Sequence, residues 1–322
     1  MYKFEPILKS MLWGGEKLIP YKGIESTAHS VGESWEISGE KGNESIVAEG
    51  PDAGMSLPQL IARDKGALLG QNNYERFGKE FPLLIKFIDA RQDLSIQVHP
   101  NDKLAWERHL SKGKTEMWYV VDADPGSRLR SGFAKQVTPE EYEQSIADNT
   151  ITNLLQEYDI HAGDVFFLPA GRIHSIGAGA FIAEIQQTSN ITYRIYDFNR
   201  CDDNGNPREL HTEMSKAAID YTVLPDYRTY YDAQPDKATQ LVSCRYFTTD
   251  IYRLTKEYEM PLAELDSFVI LICTKGYGTI TDNNGECITV RQGESILVPA
   301  STTGLKICPE GEMELLGSWI VE

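Results

Sequence analysis

The segment Leu94–His99 alternates apolar and polar residues without a break. On a β-strand, side chains two positions apart share a face, so Ser95, Gln97 and His99 point the same way. An amide oxygen and an imidazole nitrogen placed side by side can bind one metal ion. A strand histidine that forms ordinary hydrogen bonds is the alternative interpretation of this segment.

Two later segments add further candidate ligands. Lys114 and Glu116 share one face of a predicted strand, where Glu116 offers a carboxylate oxygen and Lys114 a cation beside it. A solvated ion pair at a strand edge would show the same pattern. The segment Gly163–His174 contains the pattern Gly-x5-Pro-x-Gly-x2-His, which predicts a strand, a tight turn and a histidine presented just after the turn.

The last pattern resembles the second motif of the cupin superfamily, whose small β-barrels hold a metal between adjacent strands. This chain has Gln97 in place of the first histidine of the His-x-His motif, Ala178 in place of the usual asparagine, and a distant Glu116. These departures are similar to one cupin family, type I mannose-6-phosphate isomerase. The resemblance rests on WGG at 13–15, ESWE at 33–36, SIQVHPND at 95–102, KTEM at 114–117, PAGRIH at 169–174 and YRIYD at 193–197.

The resemblance implies one zinc ion per chain with four ligands, Gln97, His99, Glu116 and His174. It also implies that Arg194 and Lys114 act on the substrate while D-mannose 6-phosphate and D-fructose 6-phosphate interconvert. That reaction moves a proton between C1 and C2 through an enediol(ate), which a divalent cation stabilises. Near the cation Lys114 should have a depressed pKa. The general base stays open among Lys114, Glu184 and a metal-bound water.

The predicted substrate-binding residues are Ser95, Arg172 and Trp13. Ser95 shares the face of the metal ligands, and Arg172 has the strand parity of His174, so both can reach a phosphate. The net charge of −17 means that a phosphate needs a local group of cations. Arg172 stands where the family more often has a small or hydroxyl residue, and the sequence leaves its effect on substrate choice open.

Most of the chain predicts short strands separated by Gly, Pro, Asn or Asp, which is typical of an all-β sandwich or barrel. The predicted strands are Phe81–Asp89, Leu94–His99, Met117–Asp122, Val165–Pro169, Phe181–Gln186, Thr192–Phe198, Phe268–Thr274 and Glu294–Val298. Helical signals are local. Thr138 and Glu141 predict a capped helix of about three turns, and weaker signals indicate helices over Leu57–Leu69 and Asp102–Leu110.

An internal repeat organises these strands. Residues 163–170 (GDVFFLPA) align with residues 293–300 (GESILVPA), although such patterns also recur by chance in β-proteins. We therefore predict an all-β protein with a few helices and two cupin-like jelly-roll units. The predicted catalytic domain covers residues 1–232 and carries helical insertions. The predicted second domain, over 233–322, is degenerate, because Gly304 stands where the first unit has His174, and it should pack against the first unit.

Composition limits the partners of the chain. With 31 Lys plus Arg against 48 Asp plus Glu in 322 residues, the protein should repel nucleic acids and anionic membranes. The 5 cysteines have no paired spacing, and with no secretory signal pattern they favour a reducing cytoplasm. An acidic surface is compatible with a monomer. Two alternative functions stay open: an iron-dependent cupin oxygenase, and a non-enzymatic sugar-binding or regulatory cupin.

Overall fold

The computed structural model describes residues 1–201 and 205–321, which form short antiparallel strands and a few helices. The earlier strands are β1 (Tyr2–Lys3), β2 (Ile7–Gly15), β3 (Val31–Ile37), β4 (Leu83–Asp89), β5 (Ile96–Val98), β6 (Glu116–Ala123), β7 (Arg128–Phe133), β8 (Leu155–Asp159), β9 (Val165–Leu168), β10 (His174–Ile176), β11 (Ala180–Gln187), β12 (Tyr193–Tyr196) and β13 (Arg228–Thr229). The later strands are β14 (Ala238–Ser243), β15 (Thr248–Leu254), β16 (Tyr258–Pro261), β17 (Val269–Lys275), β18 (Tyr277–Asp282), β19 (Cys287–Arg291), β20 (Ser295–Val298), β21 (Gly304–Pro309) and β22 (Met313–Trp319).

The helices are short and lie mainly in the first part of the chain. They are α1 (Leu18–Lys22), α2 (Leu57–Asp64), α3 (Gly66–Leu69), α4 (Gln71–Phe77), α5 (Asp102–His109), α6 (Pro139–Ala147) and α7 (Thr212–Ala218), with a 3-10 turn at Ile151–Leu154. Within the ranges that the structure describes, no helix is both long and apolar enough to cross a membrane.

The predicted helices are found, with one difference. The α6 helix begins with the expected capping box, in which the backbone N–H of Thr138 donates to the Glu141 carboxylate (2.8 Å) and the Glu141 N–H donates to the Thr138 hydroxyl (3.2 Å). The helix predicted over Leu57–Leu69 is divided into α2 and α3 at Lys65, whose φ of 51° is incompatible with a continuous right-handed helix.

The strands form four sheets, two in each half of the chain. The first half has a seven-stranded sheet, β13-β9-β6-β11-β4-β3-β2, and a five-stranded sheet, β12-β5-β10-β7-β8. An apolar cluster joins these two sheets, with Trp118 and Phe166 from the first and Leu129 and Ile176 from the second. The second half has a six-stranded sheet, β1-β20-β17-β22-β15-β14, and a four-stranded sheet, β16-β21-β18-β19.

The strand order repeats between the two halves. The order β9-β6-β11-β4-β3 corresponds to β20-β17-β22-β15-β14, and β5-β10-β7-β8 corresponds to β16-β21-β18-β19. The two units predicted from the internal repeat are therefore confirmed. The registers of the corresponding strands give the following equivalences: Pro261 for Gln97, Val269 for Glu116 and Gly304 for His174. None of the three replacements has a side chain that can bind a metal.

One apolar core joins the two units. The rings of Phe81 and Phe268 lie 4.9 Å apart, and the same cluster contains Phe87 from the first unit and Phe247 from the second. The N-terminal strand β1 pairs with β20, so the first residues of the chain complete a sheet of the second unit. The domain boundary between residues 232 and 233 stays a prediction, and β1 is an element that crosses it.

Candidate metal centre

Three neighbouring strands of the five-stranded sheet bring candidate residues together. Gln97 on β5 lies opposite His174 on β10 and, on its other side, opposite Arg194 on β12. Glu116 is the first residue of β6, in the facing seven-stranded sheet. On β5, the polar position Gln97 is thus flanked by His174 and Arg194 on the two neighbouring strands.

His99, Glu116 and His174 form a buried cluster. One ligand atom from each side chain lies within 4.8 Å of the other two. The Nε2 atom of His99 is 3.6 Å from one carboxylate oxygen of Glu116, and Nε2 of His174 is 3.4 Å from the other. This arrangement of two imidazoles around one carboxylate is a metal-binding group contributed by three separate segments of the chain.

Backbone carbonyl groups orient both imidazoles. The Nδ1–H of His99 donates to the carbonyl oxygen of Ile191 (2.9 Å), and the Nδ1–H of His174 donates to that of Arg172 (2.8 Å). A carbonyl only accepts, so each ring is protonated on Nδ1 and keeps a lone pair on Nε2, the atom that faces Glu116. Burial lowers the pKa of His99 well below its ordinary value and that of His174 to about 3. Both rings are therefore neutral, as metal ligands must be.

The polar atoms at the centre of the cluster are short of partners. Both carboxylate oxygens of Glu116 and Nε2 of His174 are buried without a hydrogen bond of good geometry, although the Lys114 ammonium lies 2.9 Å from Glu116. Buried polar atoms are nearly always satisfied in folded proteins, so these orphans indicate an absent group. A divalent cation would satisfy all of them at once, and the donor set fits one.

A row of alternating charges extends from the cluster. Lys114 lies 3.9 Å from Glu184, Glu184 lies 3.4 Å from Lys86, and Lys86 lies 3.6 Å from Glu33. With Glu116 the row contains three carboxylates and two ammonium groups, all largely buried, and it carries one negative charge when all five groups are ionised. A divalent ion would convert this to one positive charge, which is the complement of an anionic enediolate.

The pKa values follow from this packing of charges. Burial lowers the pKa of Lys114, but the carboxylates of Glu116 and Glu184 outweigh it and raise the value to about 12. This value reflects the protein groups alone, so the depressed pKa expected for Lys114 beside a cation stays a prediction. Burial raises the pKa of Glu116 to about 7. Burial also acts to raise the pKa of Glu184, yet Lys114 and Lys86 hold it below its ordinary value.

A cavity of about 300 Å³ opens beside the charged row. Five predicted site residues line it: Trp13, Ser95, Gln97, Lys114 and Arg194. Glu184, an open candidate for the general base, lines it too, and its Oε1 is buried without a partner while Oε2 accepts a hydrogen bond from Trp118 Nε1 (2.9 Å). The structure thus gathers the predicted substrate residues, apart from Arg172, around one space.

Sequence reasoning missed several residues of the cavity wall: Glu33, Lys86, Asn190, Thr192, Arg208 and His211. Lys86 had a usable signal, because it is the one charged residue inside the apolar run Leu83–Ile88 of a fully buried strand. Arg208 and His211 had none, since they lie in an irregular segment. His211 accepts a hydrogen bond on Nδ1 from the backbone N–H of Arg194 (3.0 Å).

Arg194 and Arg172 differ in their surroundings. Arg194 lines the cavity, where Nη1 donates to the carbonyl oxygen of Glu209 (3.0 Å) and Nε is buried without a partner. The guanidinium of Arg172 instead lies 4.3 Å from the ring centre of Tyr227 and is absent from the cavity wall. The backbone carbonyl of Arg172 orients His174, as described above. Substrate binding by the Arg172 side chain stays a prediction.

Comparison with protein families gives two matches along the chain. Residues 1–149 match the family described as "Phosphomannose isomerase type I, catalytic domain". Residues 237–320 match "Mannose-6-phosphate isomerase, cupin domain". The two matches fall on the two units described above.

Similar proteins and structures cover nearly the whole chain. Mannose-6-phosphate isomerase of Streptococcus mutans is 34% identical over 311 residues, which are 95% of this chain and 94% of that protein. Mannose-6-phosphate isomerase ManA of Bacillus subtilis is 32% identical over 98% of this chain and 97% of its own. A crystal structure of the mannose 6-phosphate isomerase from Bacillus subtilis superposes with a TM-score of 0.87 at 30% identity, over 98% of both chains.

Proposed function

This chain belongs to the type I mannose-6-phosphate isomerase family, and we propose that its buried His99–Glu116–His174 cluster is the metal centre of the isomerase reaction. The protein is an aldose–ketose isomerase that interconverts D-mannose 6-phosphate and D-fructose 6-phosphate. The observation that carries the assignment of the site is the group of orphaned ligand atoms beside a cavity lined by Lys114 and Arg194.

The metal is proposed to be one zinc ion per chain, held by Gln97, His99, Glu116 and His174. Two neutral imidazoles, a carboxylate and an amide oxygen suit zinc, which needs no redox change for this reaction. Gln97 supports the set because it lies directly beside His174 in the sheet. The ion would polarise the sugar carbonyl and stabilise the negative charge that develops on its oxygen.

Proton transfer is proposed to involve Lys114 and Glu184. Both line the cavity, and their charged atoms lie 3.9 Å apart. A carboxylate and an ammonium at this distance can accept a proton from one carbon-bound site and return one to the neighbouring site of the same substrate. Lys114 and Lys86 hold the pKa of Glu184 below its ordinary value, and the Lys86 ammonium lies 3.4 Å from that carboxylate.

The substrate is proposed to lie between the cluster and the arginines. Arg194 and Arg208 both line the cavity and bring two cations to its wall, which suits the enediolate or the phosphate group. Trp13, on β2, and Ser95, the residue preceding β5, complete the predicted substrate contacts. The side chain of Arg172, which packs on Tyr227, is the predicted contact with the least geometric support.

The isomerase is favoured over the two alternatives, an iron-dependent cupin oxygenase and a non-enzymatic sugar-binding or regulatory cupin. The relatives that cover nearly the whole chain carry the isomerase name, which neither an oxygenase nor a binding protein would explain. The row formed by Lys114, Glu116 and Glu184 also retains the groups that turnover requires.

The organisation and location of the protein are also proposals. We propose a catalytic domain over 1–232, a cupin-like domain over 233–322, and a monomer that works in the cytoplasm on a small phosphorylated sugar. The strand repeat supports the two units. All 5 cysteines are free thiols, in agreement with a reducing compartment.

Metal analysis of the purified protein, combined with a coupled assay for fructose 6-phosphate, tests the proposal. The wild type should contain one zinc ion per chain and convert D-mannose 6-phosphate. His174→Ala should lose the metal and the activity while its circular dichroism spectrum stays that of a folded β-protein. His161→Ala, an exposed histidine outside the cluster, is the control. A His174→Ala protein with one metal per chain and normal turnover would contradict the ligand assignment.

A further inference from the structure

The segment that carries Lys114 and Glu116 is held through the residue between them. The backbone N–H of Thr115 donates to Oε1 of Gln187 (2.9 Å), and Nε2 of Gln187 donates to the carboxylate of Asp102 (3.0 Å). Thr115 and Gln187 are both buried. The side-chain amide of Gln187 therefore connects the peptide bond that follows Lys114 to an acidic residue at the start of α5.

The other end of this connection lies in the second unit. Tyr246, in the turn between β14 and β15, donates its hydroxyl to the second carboxylate oxygen of Asp102 (2.8 Å). The turn is fixed by a backbone hydrogen bond from Cys244 to Phe247 (2.9 Å), and the Phe247 ring is fully buried in the core that joins the units. Tyr246 thus projects from a well-anchored turn toward the first unit.

Asp102 also contacts Gly113, the residue that precedes Lys114. The backbone N–H of Gly113 donates to the same oxygen of Asp102 that accepts from Gln187 (2.9 Å). A Cβ atom at Gly113 would lie 2.5 Å from the backbone nitrogen of Asp102, so the two backbones meet in a close approach that only glycine permits. The Asp102 carboxylate therefore accepts hydrogen bonds from Gly113, from Gln187 and, in the second unit, from Tyr246.

We propose that Tyr246 is a positioning residue for the isomerase reaction, acting on Lys114 and Glu116 through Asp102, Gln187 and Thr115. Charge-assisted hydrogen bonds of this kind fix the direction of a carboxylate. Without the Tyr246 hydroxyl, one oxygen of Asp102 loses its donor, and the carboxylate can turn away from Gln187. The second unit, which has no ligands at the equivalent positions, thereby contributes to catalysis by holding the Lys114–Glu116 segment. This inference rests on the proposed function.

The test compares two tyrosine variants that each lose one hydroxyl. In Tyr246→Phe we expect kcat to fall about fivefold, which equals about 1 kcal/mol of activation free energy, with KM for D-mannose 6-phosphate and metal content within twofold of the wild type. Tyr231→Phe is the matched control, because its hydroxyl bonds to Gly163 of the first unit (2.7 Å) and accepts from Arg253 of the second (3.3 Å), away from Lys114. It should leave kcat unchanged.

A double-mutant cycle separates positioning from general destabilisation. If Tyr246 acts through Gln187, then adding Tyr246→Phe to Gln187→Leu should lower kcat no further. Full kcat in Tyr246→Phe, an equal loss in Tyr231→Phe, or an additive loss in the double variant would each overturn the inference. An inactive wild type would instead reject the proposed function, so the two failures are distinguishable.

Discussion

Replacing Arg194 by alanine tests whether this side chain binds the anionic substrate as proposed. Among the described residues, the guanidinium makes one side-chain hydrogen bond, from Nη1 to the carbonyl oxygen of Glu209 (3.0 Å), and its Nε has no partner. Deleting the side chain therefore costs about 1 kcal/mol of the free energy of unfolding. We expect a folded protein whose Tm falls by about 2–4 °C.

The effect of Arg194→Ala on turnover should be far larger. Removing one donor from a developing oxyanion typically lowers kcat by about 10²–10³, or about 3–4 kcal/mol of activation free energy. We expect this loss in the coupled fructose 6-phosphate assay, with the metal content per chain unchanged because Arg194 is outside the proposed ligand set. Arg194→Lys should lie between the two, since it keeps the charge but loses the planar pair of donors.

Two measurements decide the outcome for Arg194. Elemental analysis gives the metal per chain, and the assay gives kcat and KM for each variant. Arg128→Ala, which removes an exposed arginine paired with Asp159 (2.8 Å), is the control and should behave as the wild type. A kcat of Arg194→Ala within threefold of the wild type would refute the reasoning. Loss of metal together with activity would show that Arg194 supports the ion instead.

Two further predictions concern residues outside the cavity. Arg172→Ala should leave KM for D-mannose 6-phosphate within twofold of the wild type, because the guanidinium packs on Tyr227; a tenfold rise in KM would restore its phosphate role. Burial raises the pKa of Asp250 to about 6, above its value of about 3.9 in the unfolded chain. The contribution of this carboxyl to stability is therefore fully present below pH 4 and is lost as the pH rises through 6. Asp250→Asn should therefore gain about 1 kcal/mol at pH 8, after allowance for solvent screening, and nothing at pH 4; equal Tm differences at both pH values in thermal melts would contradict this.

The strands that carry the candidate ligands can be predicted from the sequence because local residue patterns specify them. The alternation of apolar and polar residues predicts that Gln97 and His99 share a face. The turn formed by Pro169 and Gly171 predicts that the next strand begins at His174. The strand repeat is also local, since each apolar run is bounded by its own turn residues. These features need no knowledge of which strands become neighbours.

The wall of the cavity depends on such neighbours and could not be predicted in the same way. Lys86 and Glu184 are adjacent only because β4 pairs with β11, where they lie opposite each other. The carboxylates of Glu116 and Glu184 outweigh burial and raise the pKa of Lys114, while Lys114 and Lys86 outweigh burial and lower the pKa of Glu184. Arg208 reaches the cavity from an irregular segment and forms an ion pair with Asp197 (2.5 Å). No periodic pattern in the sequence predicts this contact.

The repeat explains why only one unit carries the centre. Exchanging Pro261, Val269 and Gly304 for ligands would supply side chains at equivalent positions, but not the residues proposed to bind the substrate. Trp13 lies on β2 and Arg194 on β12, and in the part of the second unit that the structure describes, neither strand has a counterpart: β14 and β16 are the edges there. A jelly roll requires only its alternating apolar face, so the second unit could lose its polar positions and keep its fold. The edge strands β2 and β12 are therefore elements by which the first unit differs from the second, and they carry the predicted site residues Trp13 and Arg194.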